Sequence, residues 1–136
     1  MHLIIGGKYM GKLAYAKTLY GADISVCDLC LVEAPLAETG LVDMENMFEA
    51  RVTVNLQEGV RSMLKREQSV RDFFERNLDR LKEKILIGDE IGSGIVPLDG
   101  FERLWRDETG LLYQALAARA DIVDRVWAGI PLRLKG

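Results

Sequence analysis

Residues 6 to 13 read Gly6-Gly7-Lys8-Tyr9-Met10-Gly11-Lys12-Leu13, the G-x-x-x-x-G-K spacing of a phosphate-binding loop. The spacing has a physical cause. Glycines let the backbone fold so that successive N–H groups point inward, and the opening turn of the next helix adds partial positive charge. Lys12 then reaches the β- and γ-phosphates of a nucleotide. Such loops normally end in a Ser or Thr that ligates Mg2+, and Leu13 stands there instead. Without that hydroxyl the pattern also describes a glycine-rich turn from strand to helix.

The second constellation is Gly88-Asp89-Glu90-Ile91-Gly92-Ser93-Gly94-Ile95-Val96-Pro97. Asp89 and Glu90 follow an apolar run, at the carboxyl end of a buried strand. A divalent ion shared with nucleotide phosphates needs one or two such carboxylates and keeps several waters. The plainer reading is a turn whose acids cap a helix or pair with Arg103 or Arg106. Cys27 and Cys30 are half of a zinc site, but a structural site takes four ligands and the sole histidine is His2. No helix signal opens directly after Cys27, so a redox motif is not expected either. They read as two thiols on a strand or its exit.

The elements that must position these groups alternate in type. Leu3-Ile4-Ile5 is a short apolar strand closed by Gly6-Gly7, and helix formers over 11–20 follow, with Leu13, Ala14, Ala16 and Leu19 as the apolar set before Gly21. A strand is expected within 24–32, an acidic loop with Pro35, Gly40 and a short helix over 33–50, a strand at 51–54 and a helix at 56–66. Ser69 and Asp72 have capping spacing, and Val70, Phe73, Phe74, Leu78 and Leu81 recur at helical steps. Ile85-Leu86-Ile87-Gly88 is a buried strand. A long helix over 99–120 presents Phe101, Leu104, Trp105, Leu111, Leu112, Leu116 and Ala120, and a last strand runs from Ile122 to Ile130. This alternation predicts an α/β fold, a mostly parallel sheet with helices on both faces and ligands at the carboxyl ends of the strands. The length of 136 residues suits one domain over 1–136.

No apolar run is long enough to span a bilayer, and a net charge of −3 gives no footprint for nucleic acid. The start, Met1-His2-Leu3-Ile4-Ile5, has no basic region or cleavage site of a signal peptide, so a cytoplasmic setting is expected. Charge is segregated. Residues 1–20 carry three Lys and no acid, which suits a phosphate loop, whereas 21–50 carry seven acids and no Lys or Arg. The acidic stretch would repel phosphates and is not expected to floor the site.

Taken together, the glycine-rich start, the Asp-Glu-Ile-Gly-Ser-Gly-Ile-Val-Pro run, and Arg106-Asp107-Glu108-Thr109-Gly110 with Gln114, Leu116-Ala117 and Ala120-Asp121 resemble one family. It is the adenosylcobinamide kinase / adenosylcobinamide-phosphate guanylyltransferase family of cobalamin biosynthesis. Val126-Trp127-Ala128-Gly129-Ile130-Pro131 with Leu134-Lys135 resembles its final strand and tail. The resemblance covers 1–20 and 85–136 and leaves 21–84 unplaced.

The resemblance implies a P-loop NTPase-like fold, a homo-oligomer, nucleotide (GTP or ATP) and corrinoid ligands, and Mg2+. It implies that Gly6, Gly7, Lys8, Tyr9, Met10, Gly11, Lys12 and Leu13 form the nucleotide loop. Lys12 and Glu90 would be catalytic, and Glu90 and Asp89 would serve the metal. The family's Arg-Asp pair falls on Arg106 and Asp107, where a salt bridge on the helix is the alternative. Tyr113 stands where the family has Asn, and no counterpart of its guanylylated histidine is found. The expectation is therefore a cobinamide kinase that has lost guanylyltransfer. The alternative is a non-catalytic nucleotide- or corrinoid-binding sensor or assembly protein.

Overall fold

A computed structural model describes residues 1–30, 43–92 and 99–136. Strands β1 (His2–Gly6), β2 (Val26–Asp28), β3 (Val52–Val54), β4 (Ile85–Asp89), β5 (Ile122–Trp127) and β6 (Ile130–Lys135) form one sheet in the order β2-β3-β4-β1-β5-β6. Every pairing from β2 to β5 is parallel, and β6 turns back antiparallel on β5. Helices α1 (Lys12–Tyr20), α2 (Leu56–Lys65), α3 (Val70–Arg76) and α4 (Gly100–Arg119) cover its faces.

Strand alternation decides which residues meet which helix. Leu3, Leu86 and Val123 point to the face that packs against Val60 of α2, Phe74 of α3 and Leu112 and Leu116 of α4. Ile4, Ile87 and Val126 point to the other face, where Ala16 of α1 packs. The expected α/β fold with helices on both faces is what forms.

Several local expectations are corrected. The strand read from Ile122 to Ile130 is a hairpin, because Ala128 (φ 48°) and Gly129 (φ 76°) take the left-handed conformations of a tight two-residue turn. The helical period from Val70 to Leu81 breaks at Asn77, whose side-chain amide donates to the Phe73 carbonyl at 2.7 Å, and a 3-10 turn, Leu78–Leu81, continues it. At its start Ser69 does cap the helix, accepting from the Asp72 N–H. On α1 the buried positions are Lys12 and Ala16, while Ala14 and Leu19 are exposed; on α4, Leu104 and Leu111 face solvent and Thr109 is buried. Within 33–50 the short helix is a 3-10 turn, Met44–Phe48, capped by Asp43. Pro35 and Gly40 lie outside the described residues, as do Ser93, Gly94, Ile95, Val96 and Pro97.

Candidate active site

The sheet's parallel register aligns Gly6 with Asp89 on one side and Val126 on the other, and Asp28 with Val54. The carboxyl ends of the strands therefore form one row, where an open α/β sheet binds its ligands.

The loop leaves this row at Gly6 and enters α1 at Lys12. A Cβ at Gly6 would run into the Val126 carbonyl oxygen, so the strand pairing itself requires glycine there. Tyr9 (φ 61°) and Gly11 (φ 91°) both take left-handed backbone conformations, which fold the chain back on itself. The Met10 carbonyl accepts from the Gly129 N–H at 2.8 Å, and Met10 Sδ accepts from the Ala128 N–H at 3.2 Å. The β5–β6 turn thus buttresses the loop. Lys8 and Tyr9 are exposed, with the Lys8 ammonium 5.2 Å from the Tyr9 ring centre, and Leu13 packs partly buried against the α1-side core.

Lys12 is only 7% exposed, which is costly for a cation unless it is paired. Its Nζ donates to the Gly7 carbonyl at 2.6 Å and to Asp89 Oδ1 at 2.8 Å. The loop lysine and the acid at the end of β4, read separately from the sequence, are in direct contact. Glu90 is not part of that contact. Arg125 grips it in a bidentate pair, Nε to Oε1 at 2.7 Å and a terminal nitrogen to Oε2 at 2.9 Å. The plainer reading expected Arg103 or Arg106 as partners; among the described residues the ion pairs of the two acids are with Lys12 and Arg125. Arg106 instead lies under Gly92 (φ 93°), where any Cβ would meet its side chain, and it forms no ion pair with Asp107 among the described residues.

Behind Asp89 stands a chain of polar groups that the sequence did not single out. Gln57 Nε2 donates to Asp89 Oδ2 at 3.1 Å and to Asn55 Oδ1 at 3.3 Å, while Gln57 Oε1 accepts from the Asp89 N–H at 2.9 Å. Asn55 Nδ2 donates to Asp28 Oδ1 at 2.7 Å. One acid of the 21–50 stretch, Asp28 at the end of β2, is therefore linked to Asp89 through Asn55 and Gln57. Tyr113 donates its hydroxyl to the Asp89 carbonyl at 2.7 Å. Burial, with Asp89 and Glu90 nearby, holds that phenol well above its ordinary range, so it stays a donor. The one available signal was position: Asn55 and Gln57 directly follow the β-branched run of β3, at the carboxyl end of a parallel strand.

A divalent ion would meet modest protein donors here. Among the described residues no three of His, Cys, Asp and Glu cluster as a metal cage, and Leu13 supplies no side-chain oxygen. Asp89 with water and phosphate oxygens fits the habit of Mg2+, which takes few protein ligands. Cys27 is buried in β2 and Cys30 lies exposed just beyond it, both free thiols; burial and nearby acids, Glu58 first, push Cys30 up to about 11.

His2 lies at the amino end of β1, about 13 Å along the strand from Gly6 at the usual rise per residue. It is buried, with Nε2 2.7 Å from Asp124 Oδ2 and Nδ1 2.7 Å from the Tyr20 hydroxyl. A carboxylate only accepts, so Nε2 carries the proton and Nδ1 accepts from Tyr20. Tyr15 and Arg133 also donate to Asp124, at 2.9 and 2.6 Å. Both ring nitrogens are thus committed to this cluster.

A mostly parallel sheet, a glycine loop between β1 and α1, and a carboxylate from β4 on the loop lysine define a P-loop NTPase-like α/β protein. A model of the cobinamide kinase / cobinamide phosphate guanyltransferase family matches residues 29–134, so the chain belongs to that family. The match begins after the glycine loop and takes in residues 29–84 of the middle region that the resemblance left unplaced. The chain is also 46% identical over 52 residues to the bifunctional adenosylcobalamin biosynthesis protein CobP of Pseudomonas aeruginosa, a stretch covering 38% of this chain and 30% of that protein.

Proposed function

We propose that this chain is a nucleotide-dependent kinase of cobalamin biosynthesis that phosphorylates the side-chain hydroxyl of a cobinamide-like corrinoid. The observation that carries the reading is Lys12, a buried ammonium held between the loop carbonyl of Gly7 and the Asp89 carboxylate. In the reaction the bond from the γ-phosphorus to the β–γ bridging oxygen breaks and a bond to the substrate's hydroxyl oxygen forms. The hydroxyl proton leaves, and a nucleoside diphosphate departs. Such a transfer depends on positioning and charge stabilisation, which Lys12 and the loop N–H groups of residues 7–12 would supply. Bound Mg2+ would neutralise the phosphates, held by Asp89 and water; Glu90, tied to Arg125, would steady the edge of the site.

Guanylyltransfer through a guanylylated histidine is proposed to be lost. His2 is the chain's one histidine, and its nitrogens are engaged at the opposite end of β1. A second reading, a non-catalytic nucleotide or corrinoid binder, is favoured by Leu13, which lacks the hydroxyl that usually holds the metal. Self-association is proposed through the outer hairpin, where Trp127 of β5 and Ile130 and Leu132 of β6 are exposed. A cytoplasmic setting suits a biosynthetic kinase, and no described helix is long and apolar enough to cross a membrane.

Calorimetric titration with GTP and ATP, with and without Mg2+, followed by a phosphorylation assay on cobinamide, tests the proposal. Turnover abolished in Lys12→Ala supports the kinase, and tight nucleotide binding without turnover supports the second reading. Absence of binding at millimolar nucleotide defeats both.

A further inference from the structure

We infer that Gln57 is the positioning residue of this site, orienting Asp89 so that one of its carboxylate oxygens holds the Lys12 ammonium. The inference rests on the phosphate-site reading of Lys12 and Asp89.

The geometry is specific to a primary amide. Gln57 reads two different groups of one residue: its Nε2 donates to the Asp89 carboxylate at 3.1 Å, and its Oε1 accepts from the Asp89 N–H at 2.9 Å. Only a side chain with a donor and an acceptor side by side can do both. Turning the amide over would set its oxygen against a carboxylate and its NH2 against an N–H, so its orientation is dictated by its partners. The second Nε2 hydrogen goes to Asn55 Oδ1 at 3.3 Å, which leaves no donor of the amide unspent.

The consequence falls on Asp89. With Oδ2 taken by Gln57, Oδ1 is left facing Lys12 Nζ at 2.8 Å. A carboxylate without this clamp could rotate about its terminal bond, a broad torsion, and release the ammonium. The clamp is itself anchored. Gln57 is 3% exposed in the first turn of α2, and its backbone carbonyl accepts from Trp105 Nε1 at 2.7 Å. About two helical turns further along α4, Tyr113 holds the Asp89 carbonyl at 2.7 Å. Helix α4 therefore grips both members of the pair. On the other side Asn55, in a left-handed conformation (φ 62°), carries the chain of bonds to Asp28 on β2. The arrangement has the logic of an outer-shell ligand partner: it does not touch the phosphate, but it sets the group that sets the lysine.

The test uses Gln57→Met, which keeps the side chain's length and removes both bonds. Two quantities are read. One is the 15N–1H signal of the Lys12 ammonium, visible when a buried pair slows its exchange with water. The other is the split of kcat against the nucleotide KM in cobinamide phosphorylation, in Gln57→Met, Asp89→Asn and the double variant. The expected result is loss of the Lys12 signal in Gln57→Met and a fall in kcat of about 10–100-fold. The nucleotide KM should be little changed, and Gln57→Met should cost almost nothing further once Asp89 is Asn.

A retained Lys12 signal with unchanged kcat overturns the inference. So do losses that multiply in the double variant, because they would mean that Gln57 acts independently of Asp89. If wild-type protein shows no turnover, the kinase reading falls, and the Lys12 signal alone decides the role of Gln57. Should Gln57→Met fail to fold, Gln57→Asn serves, keeping the amide but falling one methylene short; the same loss of signal is expected, and its retention refutes the role.

Discussion

Replacing Asp124 by Ala strips a carboxylate that is 1% exposed of three donors at once: His2 Nε2, the Tyr15 hydroxyl and Arg133 Nε. Burial alone would push this carboxyl up. The bonds from Arg133, Tyr15 and His2 outweigh it and hold the group below the ordinary carboxylate range. The group is therefore ionised in the folded protein, and its removal strands the His2 N–H in the interior. Breaking a buried charge-paired cluster costs about 3–5 kcal/mol; Arg133 is half-exposed and regains water, which favours the lower end. For a chain of this size that corresponds to a fall in Tm of roughly 10–20 °C. Asp124→Asn keeps the shape but must turn its NH2 toward a donor, and about 2–3 kcal/mol is expected. Urea unfolding with an unchanged slope, alongside scanning calorimetry, measures both. A loss below about 1 kcal/mol in Asp124→Ala would refute the reasoning, since it would mean that solvent already satisfies these donors.

Burial lowers the His2 pKa and the Asp124 carboxylate only partly restores it, so His2 is neutral in the fold while its unfolded counterpart protonates near 6.5. Stability from this term is complete above about pH 6.5 and falls as pH drops toward the folded value; urea midpoints from pH 7.5 to 5 should show that slope, and His2→Gln should flatten it. Gly6→Ala drives a Cβ into the Val126 carbonyl between two central strands and should cost about 1–3 kcal/mol by chemical denaturation. An unchanged midpoint would mean that β1 and β5 separate freely. Tyr113→Phe removes the hydroxyl bond to the Asp89 carbonyl and should cost about 1 kcal/mol, read the same way, with no loss expected if water replaces the phenol.

The elements were legible where periodicity is strong and the punctuation unambiguous. Leu3-Ile4-Ile5 followed by two glycines, and Ile85-Leu86-Ile87-Gly88 followed by two acids, could be read as buried strands meeting a loop, and Lys12 and Asp89 do meet there. The hairpin at Ala128–Gly129 was not legible, because alanine is a poor signal for a left-handed turn and the apolar run continues through it. The partners of the acids were not legible either. Which of Asp89 and Glu90 faces Lys12 depends on strand alternation at the last residue of β4, and Arg125 becomes a partner only when β5 lies beside β1. Gln57 carries no motif at all; it acquires a role because the start of α2 lies beside the carboxyl end of β4, where Asp89 sits.

The contact between Met10 and the turn at Ala128 and Gly129 also has a meaning in time. These residues are 118 positions apart. At the usual pace of translation, about 5–20 residues per second, the loop waits roughly 6–24 s after it is made before its buttress exists. During that interval β1 also lacks β5, and for much of it β4 with Asp89, so Lys12 has no counter-charge. On the proposed reading of the loop as a nucleotide site, a ribosome-bound chain stalled before β5 should therefore be a poor nucleotide binder, and the capacity to hold a phosphate should arise late, with the closing hairpin, rather than grow step by step as the chain lengthens.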